Sequence, residues 1–471
     1  MCEKAQELID AGEYEAATLA LEDLWNGIGK RPYTNYLSPV EKAGVLLIAG
    51  SLTGWLGSIK QIENSQEKAK DLICEAAAIF ETERIFDKWA EARSDLAVCY
   101  WREGSFDEAR IILQDALEKV SPQYYLLRGQ MILRQVNVEI STHQYQFTRL
   151  LLEKAAAIIQ PHGTDLLRGK LYFHQALVLR KLAEEENKPE YFDKAVENYE
   201  KASSYYEKAG HNLFRANVEN NLGFLLCNLG KYKESQLHLD RALDFYLHTS
   251  DKSHAASTLD NKALAFLGEG KFDDAEKSAR LSVQLVHEGD EKSKLAESLI
   301  TLGKILARRN NFQEAKKCFE EAADCAQAIG DYEDASVALL TLIEELREQL
   351  STAETRDFCL RAEEVLPKTS RSTTLERLKN ISSEFLQPEQ NSFIRGKAEK
   401  WEGFSLPAEV KKFEAKFVFE ALQDANGKVT KAAEFLGISH QTLSLLLKQR
   451  HSNLISAKKP RKPRTKRLQA R

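Results

Sequence analysis

The 471-residue chain contains only ten prolines and 23 glycines, few for its length. That scarcity argues against a β-rich fold with many tight turns and against long unstructured linkers. Its seven cysteines (Cys2, Cys74, Cys99, Cys227, Cys318, Cys325 and Cys359) include no CxxC pair, and an odd number cannot all pair within one chain. Free, buried thiols in a reducing compartment are expected. No run of 18 apolar residues is present, and the opening MCEKAQELIDAGEYEAA lacks a basic segment followed by an apolar one. Neither a membrane span nor a secretory signal is expected, and the chain reads as cytoplasmic. Signatures of chemistry are missing as well. Gly27-Ile28-Gly29-Lys30 lacks the spacing and the hydroxyl of a phosphate-binding loop, and there is no HExxH, Cys/His cluster or GxSxG. The chain is therefore expected not to be an enzyme and to hold no metal or cofactor.

What is abundant is alanine, leucine, glutamate and lysine, the composition of a helical protein. The net charge of −5 is unevenly placed: eight bases and no acid lie between Lys458 and Arg471, so the other 457 residues carry −13. An acidic body with a basic end suggests one localised anionic partner.

A ladder of residues runs through the body. Aromatic residues stand 40 apart at Phe192, Tyr232, Phe272 and Phe312. Each is followed by small or apolar residues at steps of three, four and three: Ala195, Tyr199, Ala202; Ser235, Leu239, Ala242; Ala275, Ala279, Ser282; Ala315, Phe319, Ala322. Those steps trace one helix face. The pattern extends backward through Tyr145, Phe106, Gln66 and Tyr14, with unit spacings of 52, 40, 39, 47, 40, 40 and 40. The spacing of 47 predicts a loop at Glu184 to Pro189, and that of 52 predicts an irregular stretch from Asn26 to Pro39. A worn ninth unit fits at Thr352, Thr355, Cys359 and Ala362. Gly12, Gly104, Gly230, Gly270 and Asn310 stand two residues before the first ladder position, and Leu222-Gly223 and Leu302-Gly303 recur upstream.

This arrangement resembles the tetratricopeptide repeat in a form with helices of about 17 residues. The proline that usually follows the second helix is mostly missing, which leaves the turn between repeats unassigned. The resemblance covers residues 1–366 and implies a superhelical solenoid of helix pairs whose first helices line a groove for a peptide or protein. Asn221 and Asn261, one period apart, occupy positions where asparagine in that family bonds a bound peptide; the alternative is a solvated or internal polar role. Residues 367–404 read as a linker with a short helix around Leu375 to Phe385. Trp401 and Phe404 within it are expected to pack on the C-terminal unit.

Residues 405–455 form that separate unit. A helix from Glu409 to Asp424 carries Phe413, Phe417, Val418, Ala421 and Leu422 as one apolar stripe. Two short helices then meet at Gly437-Ile438, with Ala433, Gly437 and Leu443 at the offsets a helix-turn-helix needs and Ser439 as N-cap of the second. FEAKFVFEALQDANGKVTKAAEFLGISHQTLSLLLKQ resembles the Fis-type helix-turn-helix of many bacterial transcription activators. The resemblance implies that the last helix lies in a DNA major groove and that the domain is often dimeric. Candidate DNA contacts are Lys428, Lys431, Ser439, His440, Gln441, Thr442, Ser444 and Lys448. The sequence departs from the family at His440, where arginine is usual, and at Leu445 and Leu446, where bases are usual. Residues 456–471 read as a disordered basic tail, whose Lys458, Lys459, Arg461, Lys462, Arg464, Lys466 and Arg467 add candidate phosphate contacts.

The fold class expected is all-α: a tetratricopeptide-repeat solenoid, a small three-helix helix-turn-helix domain and the tail. The function expected is a transcriptional regulator whose solenoid binds a protein or peptide and controls DNA binding. The alternative is an interaction scaffold whose C-terminal helices dock a protein and not DNA, which the apolar Leu445 and Leu446 favour.

Overall fold

A computed structural model describes residues 1–60, 62–288, 292–366, 372–385, 406–425 and 427–451. It divides into two compact units, Met1–Leu386 and Gln387–Arg471. Among the described residues there are 22 helices and no strand.

The first unit is nine helix pairs and one closing helix. In chain order the pairs are α1 (Cys2–Asp10) with α2 (Tyr14–Leu19), α3 (Pro39–Ile59) with α4 (Ser65–Thr82), and α5 (Phe86–Arg102) with α6 (Phe106–Lys119). Next come α7 (Tyr125–Ser141) with α8 (Tyr145–His162), α9 (Asp165–Glu186) with α10 (Glu190–Lys208), and α11 (Asn212–Asn228) with α12 (Tyr232–His248). The last are α13 (Lys252–Gly268) with α14 (Phe272–Glu288), α15 (Lys292–Arg308) with α16 (Phe312–Ala328), and α17 (Tyr332–Glu345) with α18 (Thr352–Val365), closed by α19 (Ser372–Phe385). The six helices α11 to α16 are each 17 residues long.

The ladder explains why these segments pair. Every second helix begins at or within two residues of its ladder's first position. The three that follow are buried in all nine units, from Ala17, Leu21 and Leu24 to Thr355, Cys359 and Ala362. Small side chains at two of the three rungs let the backbones of the paired helices approach. Gly223 lies against Leu239 and Gly303 against Phe319, so the facing helix supplies no side chain where the ladder's large rung enters. In the second unit, whose first position is not aromatic, Gln66 donates to the Gly54 carbonyl of the paired helix at 2.7 Å.

Both kinds of turn use one device. Within pairs, a residue at positive φ (Gly104, His143, Gly230, Gly270 or Asn310) is followed by an N–H that bonds five residues back, as from Lys231 to Leu226 at 2.9 Å. Between pairs, Arg84, Gly210, Ser250 and Gly330 do the same, as from His211 to Tyr206 at 2.9 Å. This is the left-handed helix stop that satisfies orphan carbonyls, and it takes the place of the missing proline.

Three expectations are corrected. Glu184 to Glu186 lengthen α9 by part of a turn, and Asn187 at positive φ ends it, so the insertion is helix more than loop. Helix α2 stops after six residues, yet Leu21, Leu24 and Trp25 stay buried in the irregular stretch beyond it. The solenoid unit continues past 366, because α19 packs on α17 and α18. First helices of successive pairs touch one another, as α3 with α5 and α13 with α15, and among the described residues second helices make no comparable contact. The first helices therefore take the inner radius.

The second unit is α20 (Leu406–Asp424), α21 (Val429–Phe435) and α22 (His440–Gln449). Its core is Val418, Ala421, Leu422, Ala425, Ala432, Ala433, Leu443 and Leu447. The single stripe expected on α20 is split: Val418, Ala421 and Leu422 are buried, whereas Phe413 and Phe417 are 59% and 45% exposed and meet edge to face at 4.9 Å. Two turns of helix present more than one face, and the two short helices behind α20 cover only one. Trp401, Phe404 and the basic tail lie outside the described residues.

Candidate functional sites

The end of α21 and the start of α22 are built by local chemistry. Gly437 sits at φ 63°, and the Ile438 N–H returns to the Ala433 carbonyl at 3.0 Å, stopping α21. Ser439 Oγ accepts from the Thr442 N–H at 3.0 Å and lies 2.8 Å from Thr442 Oγ1, capping α22. With Leu443 and Leu447 buried, the opposite side of α22 must face out. Ser439, His440, Gln441, Thr442 and Lys448 are exposed, and Ser444 is half-buried. Leu445, 53% exposed, sits between Gln441 and Lys448 on that outer face. Lys428 and Lys431 are exposed at the start of α21, with Lys431 Nζ 5.4 Å from the Phe435 ring centre. The eight candidates before residue 452 thus fall on two consecutive short helices and their N-caps, Lys428 and Ser439. The seven in the tail lie outside the described residues.

A cluster that sequence reasoning missed fixes α22 to α20. The buried His451 ring places Nε2 2.9 Å from Glu414 Oε2, and Arg450 Nη1 lies 3.3 Å from the same oxygen. These partners hold the Glu414 carboxyl below the usual range, with the His451 bond the largest cause. The residues are 37 apart in sequence, so no local pattern announces them.

In the solenoid, Asn221 and Asn261 are half-buried on α11 and α13 and already bonded internally. Asn221 Nδ2 donates to the Asn217 carbonyl at 2.8 Å, and Asn261 Nδ2 donates to Asn220 Oδ1 at 3.0 Å. The same rung-to-rung bonding continues from Thr301 to Asp260 at 3.0 Å and from Arg377 to Thr341 at 2.9 Å. The inner face of the later repeats is therefore largely satisfied by itself.

The earlier repeats differ. A groove of about 940 Å³ is lined chiefly by the first helices of six successive pairs, from α1 to α11, with Tyr14, Leu113 and Tyr206 added from second helices. At one side the turn at Gly12 lies against His211, so the first pair meets the sixth. His211 caps α11 by accepting from the Phe214 N–H and stacks on the Phe214 ring at 3.8 Å. Burial, then the nearby Lys170, pulls its pKa down to about 4. Burial and Lys170 likewise bring His174 to about 4, and burial with Arg134 brings Lys170 down to about 8. None of these groups was singled out from sequence.

The comparisons with known proteins agree with this geometry. Residues 214–286 and 254–328 match the family described as Tetratricopeptide repeat, and residues 409–449 match Bacterial regulatory protein, Fis family. The chain thus carries tetratricopeptide repeats and, at its C-terminal end, a helix-turn-helix region that matches the Fis family. No curated protein matches it. Among solved structures, a Rap protein complexed with competence and sporulation factor is 14% identical, with 79% of this chain and 98% of that one covered at a TM-score of 0.50. The apo quorum sensor NprR from B. thuringiensis is 12% identical over 78% and 96% at 0.47, and BtubC (BKLC) from P. vanneervenii is 20% identical over 51% and 92% at 0.38. At 14% identity the likeness to the Rap protein is one of fold. The tetratricopeptide run extends in the structure well beyond the matched residues, from α1 to α18. Among the described residues, no helix is long and apolar enough to cross a membrane.

Proposed function

We propose that this protein is a cytoplasmic, non-catalytic transcriptional regulator: its Fis-type domain binds DNA, and its tetratricopeptide solenoid binds a peptide or protein that controls that binding. The observation that carries the reading is the outer face of α22, where a capped helix leaves His440, Gln441 and Thr442 uncovered at its N-terminal end. That end of a recognition helix is the part that reaches base edges. The face has a single base, Lys448, so affinity comes chiefly from Lys428, Lys431 and the tail. If about six tail charges meet phosphates, log affinity falls with log salt with a slope of about −5 from the tail alone. The solved Rap protein of similar fold is complexed with a factor, which supports a ligand in a solenoid of this shape.

We further propose that two copies pair through Phe413 and Phe417, since large exposed rings on a small domain mark a contact surface. The test is selection of genomic fragments by the full chain at low salt. A recurring sequence supports the regulator, and no retained DNA rejects it. The scaffold reading draws on exposed Leu445 and predicts that Leu445→Lys abolishes capture of a protein partner without weakening DNA retention. Loss of sequence preference in Gln441→Ala would remove that reading.

A further inference from the structure

Helix α22 is pinned at both ends. Ser439 caps its start, and just past its last turn Arg450 and His451 hold it to Glu414 of α20. Its inner side is fixed by Leu443 and Leu447, both fully buried in the domain core. At 3.6 residues per turn, Leu445 lies about 180° around the helix from the midpoint of those two leucines. It is therefore the side chain that points most directly away from the core. It is 53% exposed, and the residues flanking it on that face are Gln441, Thr442 and Lys448, all polar and exposed.

The surroundings decide what such a side chain meets. When the face that carries Gln441 enters a major groove, Leu445 enters with it, one turn further along. Four residues of helix rise about 6 Å, against about 3.4 Å between base pairs, so Leu445 reaches a base within about two pairs of the one that Gln441 meets. Guanine, cytosine and adenine present hydrogen-bonding groups in that groove, and thymine adds an apolar group, its C5-methyl. A leucine against the polar edges would strip water from them and return no bond. Against the thymine methyl it buries two apolar surfaces and leaves nothing unpaired. The lysine or arginine usual at this position in Fis-family domains can hold a phosphate, a contact that carries no sequence information. Leucine cannot make that contact, so the departure exchanges general affinity for a preference.

We propose that Leu445 is a specificity-determining residue that recognises the 5-methyl group of a thymine in the major groove. The assignment rests on the reading of the C-terminal domain as DNA-binding. A methyl contact has short range, so it forms only in the register that His440 and Gln441 set. It adds to their preference and does not survive without them.

The test uses the full chain and fluorescence anisotropy on the sequence selected from genomic fragments. Each thymine of the duplex is replaced in turn by deoxyuridine, which lacks the methyl and keeps every base-pairing group. Wild type should lose about fourfold in affinity at one position of each copy's site, the scale of one buried methyl, and little at the others. Leu445→Ala should bind the thymine and deoxyuridine duplexes equally, with an unchanged melting temperature because Leu445 lies outside the core. Leu445→Lys should also lose the distinction, and its added charge should steepen the salt slope by about 0.9. If wild type prefers the selected duplex over a scrambled one yet is indifferent to every deoxyuridine, or if the distinction persists in Leu445→Ala, the proposal is overturned and the DNA-binding reading stands. That indifference, joined to loss of a captured protein in Leu445→Lys, would assign Leu445 to a protein contact instead. A wild type with no sequence preference at all overturns the proposal and the reading together.

Discussion

Glu139 is a buried carboxylate on α7, and Arg110 holds it from α6 through two bonds of 2.8 and 3.0 Å. Arg110→Ala would leave that charge unpaired and should cost about 3–5 kcal/mol in urea unfolding. At Gly303 the balance is steric. An added Cβ would come 2.7 Å from Phe319 Cε1, in a core with no slack, and Gly303→Ala should cost about 1–3 kcal/mol. His174 makes stability depend on pH. Its folded pKa of about 4 lies below the ordinary 6.5, so between those values the unfolded chain binds a proton that the native ring refuses. Stability should therefore be complete above about pH 6.5 and fall toward pH 4, by roughly 3 kcal/mol from this group. The difference between wild type and His174→Gln across that window isolates the effect from carboxylate titration. A wild-type profile parallel to the variant's would contradict it.

At the scale of the element, α22 separates stability from recognition. Ser439→Ala removes the N-cap and should destabilise the domain by about 1 kcal/mol. Gln441→Ala touches no core residue, so it should leave thermal unfolding unchanged while weakening preference for the selected sequence by roughly 1–3 kcal/mol. Phe413→Ser with Phe417→Ser should abolish a concentration-dependent dimer in light scattering and leave the melting temperature nearly unchanged, because neither ring belongs to the core. The helix-turn-helix was legible in the sequence because its signals are local: the Gly437 stop, the Ser439 cap and the Leu443–Leu447 spacing all act within a turn or two. The split stripe on α20 was not. Five apolar residues at helical spacing look alike until the covering helices are known, and α21 and α22 reach only Val418, Ala421 and Leu422. The Glu414–His451 bond was hidden for the same reason, since it joins the far ends of the domain.

At the scale of the whole chain, the repeat was readable because each rung makes the same contact within its own pair. The turns between pairs were only half readable. Gly210 and Gly330 signal a left-handed residue, but Arg84 and Ser250 adopt it without being glycine, held by the bond from the next N–H. The groove was invisible in sequence. Its walls come chiefly from six first helices about 40 residues apart, and Gly12 meets His211 at one side of it. The asparagines at a familiar repeat position lie in the later repeats, where Asn221 and Asn261 are already bonded within the solenoid.

The central claim is that the Fis-type domain reads DNA through the N-terminal end of α22. The most direct measurement is binding of the full chain, by fluorescence anisotropy, to its selected sequence and to a scrambled duplex of the same length, for wild type and for His440→Ala with Gln441→Ala. The account predicts that wild type prefers the selected duplex and that the variant binds both equally, with an unchanged salt slope. Equal binding by wild type, or a preference that survives the double substitution, would contradict it.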